Sequence, residues 1–142
     1  MRKQREDGYE IDTAPGRLDV PRIHEWLSTD AYWALGRPAE VVARSIRHSL
    51  CFGIYDRDGD QVGVCRVVTD EATFAWLCDV YVDRAARGRG LGTWLVQVVR
   101  EHLLDMGLQR IILATLDAHG VYATAGFVPL AKPDRWMEID LR

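Results

Sequence analysis

The chain has 142 residues, 48% of them hydrophobic and 27% charged, enough for one domain with a core that needs neither disulfides nor metals. Its formal charge of -3 argues against a general nucleic-acid binder, which carries a net basic face. No apolar run nears the roughly 20 residues of a membrane span, and the charged N-terminus lacks a signal-peptide core, so a cytoplasmic protein without membrane or nucleic-acid partners is expected.

In chain order, residues 1–8 read as a flexible tail and residues 9–142 as a single domain, opening with a short strand at 9–13. Asp19 is placed to cap a helix in which Val20, Ile23, Trp26 and Leu27 recur at helical spacing. Residues 28–38 are irregular and aromatic. Pro38 then opens a second helix with Val42, Ser45, Ile46 and Ser49 on one stripe. Strands follow at 51–55 and 61–68, joined by an Asp58-Gly59 hairpin turn. A third, β-branched and aromatic, spans 73–82.

The chain then changes character at D-R-A-A-R-G-R-G-L-G, residues 83–92. After it, Leu91, Trp94, Leu95, Val98, Val99, Leu103 and Met106 form one stripe of an amphipathic helix, closed by Gly107. Residues 110–116 predict a strand, 119–125 a short helix stopped by Gly126, and 127–128 and 136–139 two last strands. The strand–helix–strand unit from 73 to 116 demands a right-handed crossover and a parallel pair. Cys51, Cys65 and Cys78 all fall in predicted strands, and no CxxC or HExxH occurs. Reduced, buried thiols and no metal site are expected.

The turn Arg87-Gly88-Arg89-Gly90-Leu91-Gly92 lies between a strand and a helix start. Helix N-termini leave about four amides without partners and carry roughly half a positive charge. Glycines let a phosphate approach the backbone, and Arg84, Arg87 and Arg89 add charge beside it. A tight turn with solvated arginines is the bland alternative. The spacing matches neither GxxxxGK[ST] nor GxGxxG, which disfavours a P-loop or a Rossmann unit.

The turn resembles the [R/Q]-x-x-G-x-[G/A] signature of the GNAT acetyltransferase superfamily, through Arg87, Gly90 and Gly92, five residues after a strand ending in Val82. A second likeness is V-Y-A-T-A-G-F at 121–127, with Tyr122 four residues before Gly126-Phe127. The order of elements is similar from Tyr9 to Ile139. The resemblance implies an α+β fold: a mixed, mostly antiparallel sheet of six to seven strands, splayed between the fourth and fifth, flanked by about four helices.

It also implies acetyl-CoA as cosubstrate and transfer to a primary amine, a small molecule rather than a protein, by direct attack on the thioester. The pyrophosphate would lie on Arg87, Gly88, Arg89, Gly90, Leu91, Gly92 and Thr93. The pantetheine would pair with Val80, Tyr81 and Val82. Tyr122 would lie near the sulfur as general acid. The family's base, a Glu on the preceding strand, is replaced by Cys78, read as a structural thiol. The family's pantetheine-contacting Asn is replaced by Thr115. Asp79 is expected to orient the acceptor amine, with hydrogen-bonding of the loop or proton transfer through water as alternatives, and to face away from residue 78 because strand neighbours alternate. His119, one helical turn before Tyr122, is the other candidate proton relay. Tyr32, Trp33 and Trp76 are candidate acceptor walls. A non-catalytic acyl-CoA-binding regulatory module is the alternative reading, and a different kind of nucleotide-binding domain a weaker third. Exposed strand edges leave room for a homodimer.

Overall fold

Strands β3 (Leu50–Tyr55) and β4 (Gln61–Thr69) are buried on both faces from Cys51 to Tyr55 and from Gln61 to Cys65, because helices cover both sides of the sheet they centre. The computed structural model describes residues 1–142. Six strands run in the order β1 (Arg2–Gln4), β2 (Glu10–Asp12), β3, β4, β5 (Ala75–Val82), β6 (Ile111–Ile112). Every neighbouring pair is antiparallel except β5 and β6. The β3–β4 turn closes as the sequence predicts: Gly59 takes φ +83°, and the Asp56 carboxylate accepts from the amides of Asp58 and Asp60.

Four helices flank the sheet: α1 (Val20–Asp30), α2 (Ala39–Arg47), α3 (Leu91–Asp105) and α4 (His119–Thr124). The Asp19 side chain caps α1 by accepting from the Arg22 amide. Leu91, Leu95, Val98, Val99 and Leu103 of α3 pack on Phe52, Ile54 and Leu77 to make the larger core. Ile23, Trp26 and Leu27 of α1 and Val42 of α2 cover Val64 and Tyr81 on the other face. Full burial of each such side chain contributes about 1.5–3 kcal/mol. No helix is long and apolar enough to cross a membrane.

Three expectations change. The N-terminal stretch is not a loose tail: Arg2, Lys3 and Gln4 pair with Asp12, Ile11 and Glu10, and Glu10 accepts from Arg2, Gln4 and Arg17. This added strand moves the splay from between the fourth and fifth strands to between the fifth and sixth.

The strand expected at 110–116 pairs only at Ile111 and Ile112, opposite Ala75 and Trp76. Beyond them the chain leaves β5, so its apolar residues have no ladder to join. Nor do 127–128 or 136–139 form strands. Phe127 packs on the core, but Val128, Met137 and Ile139 are exposed, since β6 is too short to template further strands.

Candidate active site

β5 continues for six residues after its last pairing with β6 at Trp76, which opens a V-shaped gap in the sheet. A cavity of about 220 Å³ opens on that gap. Tyr32 and Trp33 wall it from the loop after α1, Trp76 and Asp79 from β5, Thr115 from the segment after β6, and Tyr122 from α4. The fold thus gathers the four expected acceptor-pocket residues with the expected general acid.

Tyr122 packs edge-on to Phe127, 6.0 Å between ring centroids, which fixes the ring. Burial pushes its hydroxyl up to about 12, so it stays protonated at neutral pH. Tyr32 packs edge-on to Trp33, and its hydroxyl accepts from the Leu116 amide at 3.0 Å, tying the loop to the far side of the gap. His119 is exposed at the start of α4 and does not line the cavity, so the single turn separating it from Tyr122 does not bring the two together there.

Asp79 is placed differently from the expectation. β4 and β5 slip register between Val64–Tyr81 and Arg66–Cys78, so Asp79 and Val80 of β5 stand against Cys65 alone. Asp79 itself takes φ +51°. The bulge breaks the alternation, and Cys78 and Asp79 both line the cavity. The Asp79 side chain is only 2% exposed. Its Oδ1 accepts from Trp33 Nε1 at 2.8 Å and from Arg37 Nη1 at 3.1 Å. Its Oδ2 accepts from Arg66 Nε at 2.7 Å and from Arg37 Nη1 at 3.0 Å. Burial by itself would raise this carboxyl; the Arg66 hydrogen bond and the charges of Arg66 and Arg37 outweigh it and hold it below the usual carboxylate range. Four donor contacts occupy both oxygens, which removes Asp79 as a direct ligand for an acceptor amine. Cys78 donates to the Arg66 carbonyl at 3.2 Å, and burial pushes its thiol up to about 11. Cys51, Cys65 and Cys78 are all unpaired. Thr115 spends its hydroxyl on the Ala118 amide at 3.1 Å, which shapes the turn into α4.

The glycine turn sits where β5 ends. Gly88 and Gly90 adopt φ +81° and +71°, left-handed values that favour glycine. Gly90 is the residue before α3, and no side chain caps that helix. The amides of Leu91, Gly92 and Thr93 make no hydrogen bond within the chain. A Cβ on Gly88 would meet nothing within 4 Å, so the space over the turn is open to an anion.

The arginines do other work than expected. Arg84 and Arg87 pair with Asp30, which also accepts from Tyr81 Oη at 2.6 Å, and Arg87 Nε donates to the Val82 carbonyl at 2.9 Å. Arg89 donates to Tyr9 Oη. The sequence reading missed Arg5, which leaves the N-terminal strand, hydrogen-bonds the Arg89 carbonyl at 3.0 Å and lies 5.1 Å over the Trp94 ring. It also assigned no role to Arg37 and Arg66, whose partner Asp79 lies 42 and 13 residues further along the chain.

The model of the GNAT acetyltransferase family matches residues 20–127, the stretch that carries the splay, the glycine turn and Tyr122. The chain belongs to the GNAT acetyltransferase family. A protein of Gibberella zeae, provisionally assigned as an acetyltransferase, is 34% identical over 128 residues, covering 77% of this chain and 72% of its own. A crystal structure of a Xanthomonas campestris protein assigned to the same family is 43% identical, with a TM-score of 0.89, over 98% of this chain and 96% of its own. A Mycobacterium tuberculosis protein solved in complex with CoA shares the fold at a TM-score of 0.67 and 24% identity, covering 83% of this chain and 70% of its own. Membership in the GNAT family agrees with the mixed, splayed six-strand sheet and four flanking helices.

Proposed function

We propose that this protein is an acetyl-CoA-dependent N-acetyltransferase whose acceptor is a small primary amine. One observation carries the reading: a half-buried, protonated tyrosine walls the cavity at the strand splay, and β5 leads into a turn with three unpartnered amides. Those amides, of Leu91, Gly92 and Thr93, suit the pyrophosphate of CoA, with Gly88 and Gly90 shaping the approach and Arg87 and Arg89 bracing the turn. The edge of β5 at Val80, Tyr81 and Val82 faces the gap, where an extended pantetheine arm pairs as an added strand. A cavity of about 220 Å³ is small beside the roughly 300–1,000 Å³ of common ligand sites and favours a compact acceptor.

In the reaction, the neutral amine attacks the thioester carbonyl, and the C–S bond breaks as the new C–N bond is completed. Tyr122 gives its proton to the departing thiolate. The amine must lose one proton. Asp117 lines the cavity, outside the arginine cluster, and takes this proton directly or through water. Solvent returns a proton from Asp117 to Tyr122, so the net products are the N-acetyl amine and CoA thiol. His119 has no part in this scheme.

Release of CoA thiol from acetyl-CoA across a panel of small amines tests the proposal. Amine-dependent release that Tyr122→Phe depresses, with acetyl-CoA binding unchanged, supports it. Tight CoA binding without thiol release for any amine would leave a non-catalytic acyl-CoA-binding module in its place.

A further inference from the structure

Two guanidinium groups converge on one carboxylate at the inner wall of the cavity. Arg66 and Arg37 are held against Asp79, with side chains 13% and 23% exposed. One carboxylate balances one of these charges, so the cluster retains a net positive charge beside the cavity.

The hydrogen bonds also leave part of each guanidinium free. Arg66 spends Nε on Asp79 and Nη1 on Ser49 Oγ at 3.1 Å, while its Nη2 has no partner in the chain. Arg37 reaches Asp79 through Nη1 alone, while its Nε and Nη2 have no partner. Both residues line the cavity, as does Trp33, whose indole holds the other side of the carboxylate. Asp79 and Ser49 thus fix two arginines with donors to spare. Planar guanidinium groups bind carboxylates and phosphates by paired hydrogen bonds, and are more weakly hydrated than ammonium groups.

We propose that the acceptor amine carries an anionic group, a carboxylate or a phosphate, which Arg37 and Arg66 bind. The inference rests on the acetyltransferase reading and names its substrate class. It assigns Arg37 and Arg66 as acceptor-binding residues and Asp79 as the residue that positions them. A purely cationic acceptor such as a polyamine would instead meet the surplus positive charge.

The test uses matched acceptors that differ by the anion: β-alanine against ethylamine for a carboxylate, glucosamine 6-phosphate against glucosamine for a phosphate. Thiol release is measured with the wild-type chain, Arg37→Gln, Arg37→Lys and Arg66→Gln. Binding of each unreacted amine to the CoA complex is measured by calorimetry. A charge-assisted contact predicts roughly a ten- to hundredfold preference for the anionic member of at least one pair. Which pair shows it tells carboxylate from phosphate. Arg37→Gln is expected to remove most of that preference through KM for the amine, with KM for acetyl-CoA unchanged, and Arg37→Lys to restore part of it.

Equal use and equal binding of both members of both pairs by the wild-type chain overturns the inference, and that measurement does not depend on any variant folding. So does a preference that survives both glutamine substitutions. Failure of the acetyltransferase reading is distinct: no thiol is released with any amine, whatever the calorimetry reports for the anions.

Discussion

Arg66 stands opposite Cys78 in the β4–β5 ladder, yet its Nε donates at 2.7 Å to Asp79, the next residue along. The bulge at Asp79 makes this contact by turning two successive residues of β5 toward the cavity. In a regular strand one of them would point into the opposite core.

Removing the charge of Asp79 leaves Arg37 and Arg66 facing each other without their shared carboxylate. Breaking a buried ion pair from one side costs about 3–5 kcal/mol. Asp79→Asn is therefore expected to lower the thermal midpoint by roughly 10 °C, while CoA affinity is retained. Calorimetric unfolding and CoA titration check both halves, and an unchanged midpoint would contradict the cluster's role.

The phosphate site is best tested at Gly92 rather than Gly90. Gly90 lies at φ +71°, where any side chain adds backbone strain to its steric effect. Gly92 is helical, and a Cβ there meets only Val82 Cγ2, at 3.9 Å. Gly92→Val is expected to stay folded and to weaken CoA binding at least about tenfold by crowding the free amides. CoA titration beside a melting curve reads both effects.

Tyr122→Phe keeps the ring against Phe127 and removes only the hydroxyl. General acid catalysis is typically worth about 10²–10⁴-fold, so kcat falls by that order with KM for acetyl-CoA unchanged. Because burial raises the wild-type hydroxyl to about 12, the donor stays protonated through pH 10. Wild-type kcat is therefore expected to show no alkaline loss from Tyr122 below pH 10, which a pH–rate profile checks.

His119→Ala separates chain proximity from placement in the site. The side chain is exposed and outside the cavity. Its kcat is expected to stay within about twofold of wild type, since a substitution without contact to the reacting atoms removes no transition-state interaction. Steady-state kinetics with the best acceptor decides it.

Glu10 ties β1 and β2 to the sheet. Hydrogen bonds from Arg17, Gln4 and Arg2 hold its carboxyl at about 2, below the ordinary value of 4.5. A carboxyl depressed in the folded state contributes stability that is complete above its unfolded value and lost as pH falls toward the folded one. The wild-type thermal midpoint is therefore expected to fall more steeply between pH 4.5 and 2 than that of Glu10→Gln. Melting curves across that range test it.

Sequence alone determined what depends on local geometry. The helical stripe from Leu91 to Met106 follows from spacing, as the cap of Asp19 and the turn at Gly59 follow from residue type. The glycine turn is legible because φ at Gly88 and Gly90 is a local constraint, and Tyr122 because it sits at fixed distance from Gly126-Phe127. Tertiary structure decided the partners. Arg37 lies 42 residues from Asp79 and Arg5 lies 84 from Arg89, separations that leave no periodic trace. The strand at 2–4 is polar and exposed, so it has no apolar alternation to announce it; it exists because Glu10 and the edge of β2 receive it. At 110–116 the opposite holds: apolar residues predict a strand, but a strand needs a neighbour, and the splay of β5 from β6 takes that neighbour away.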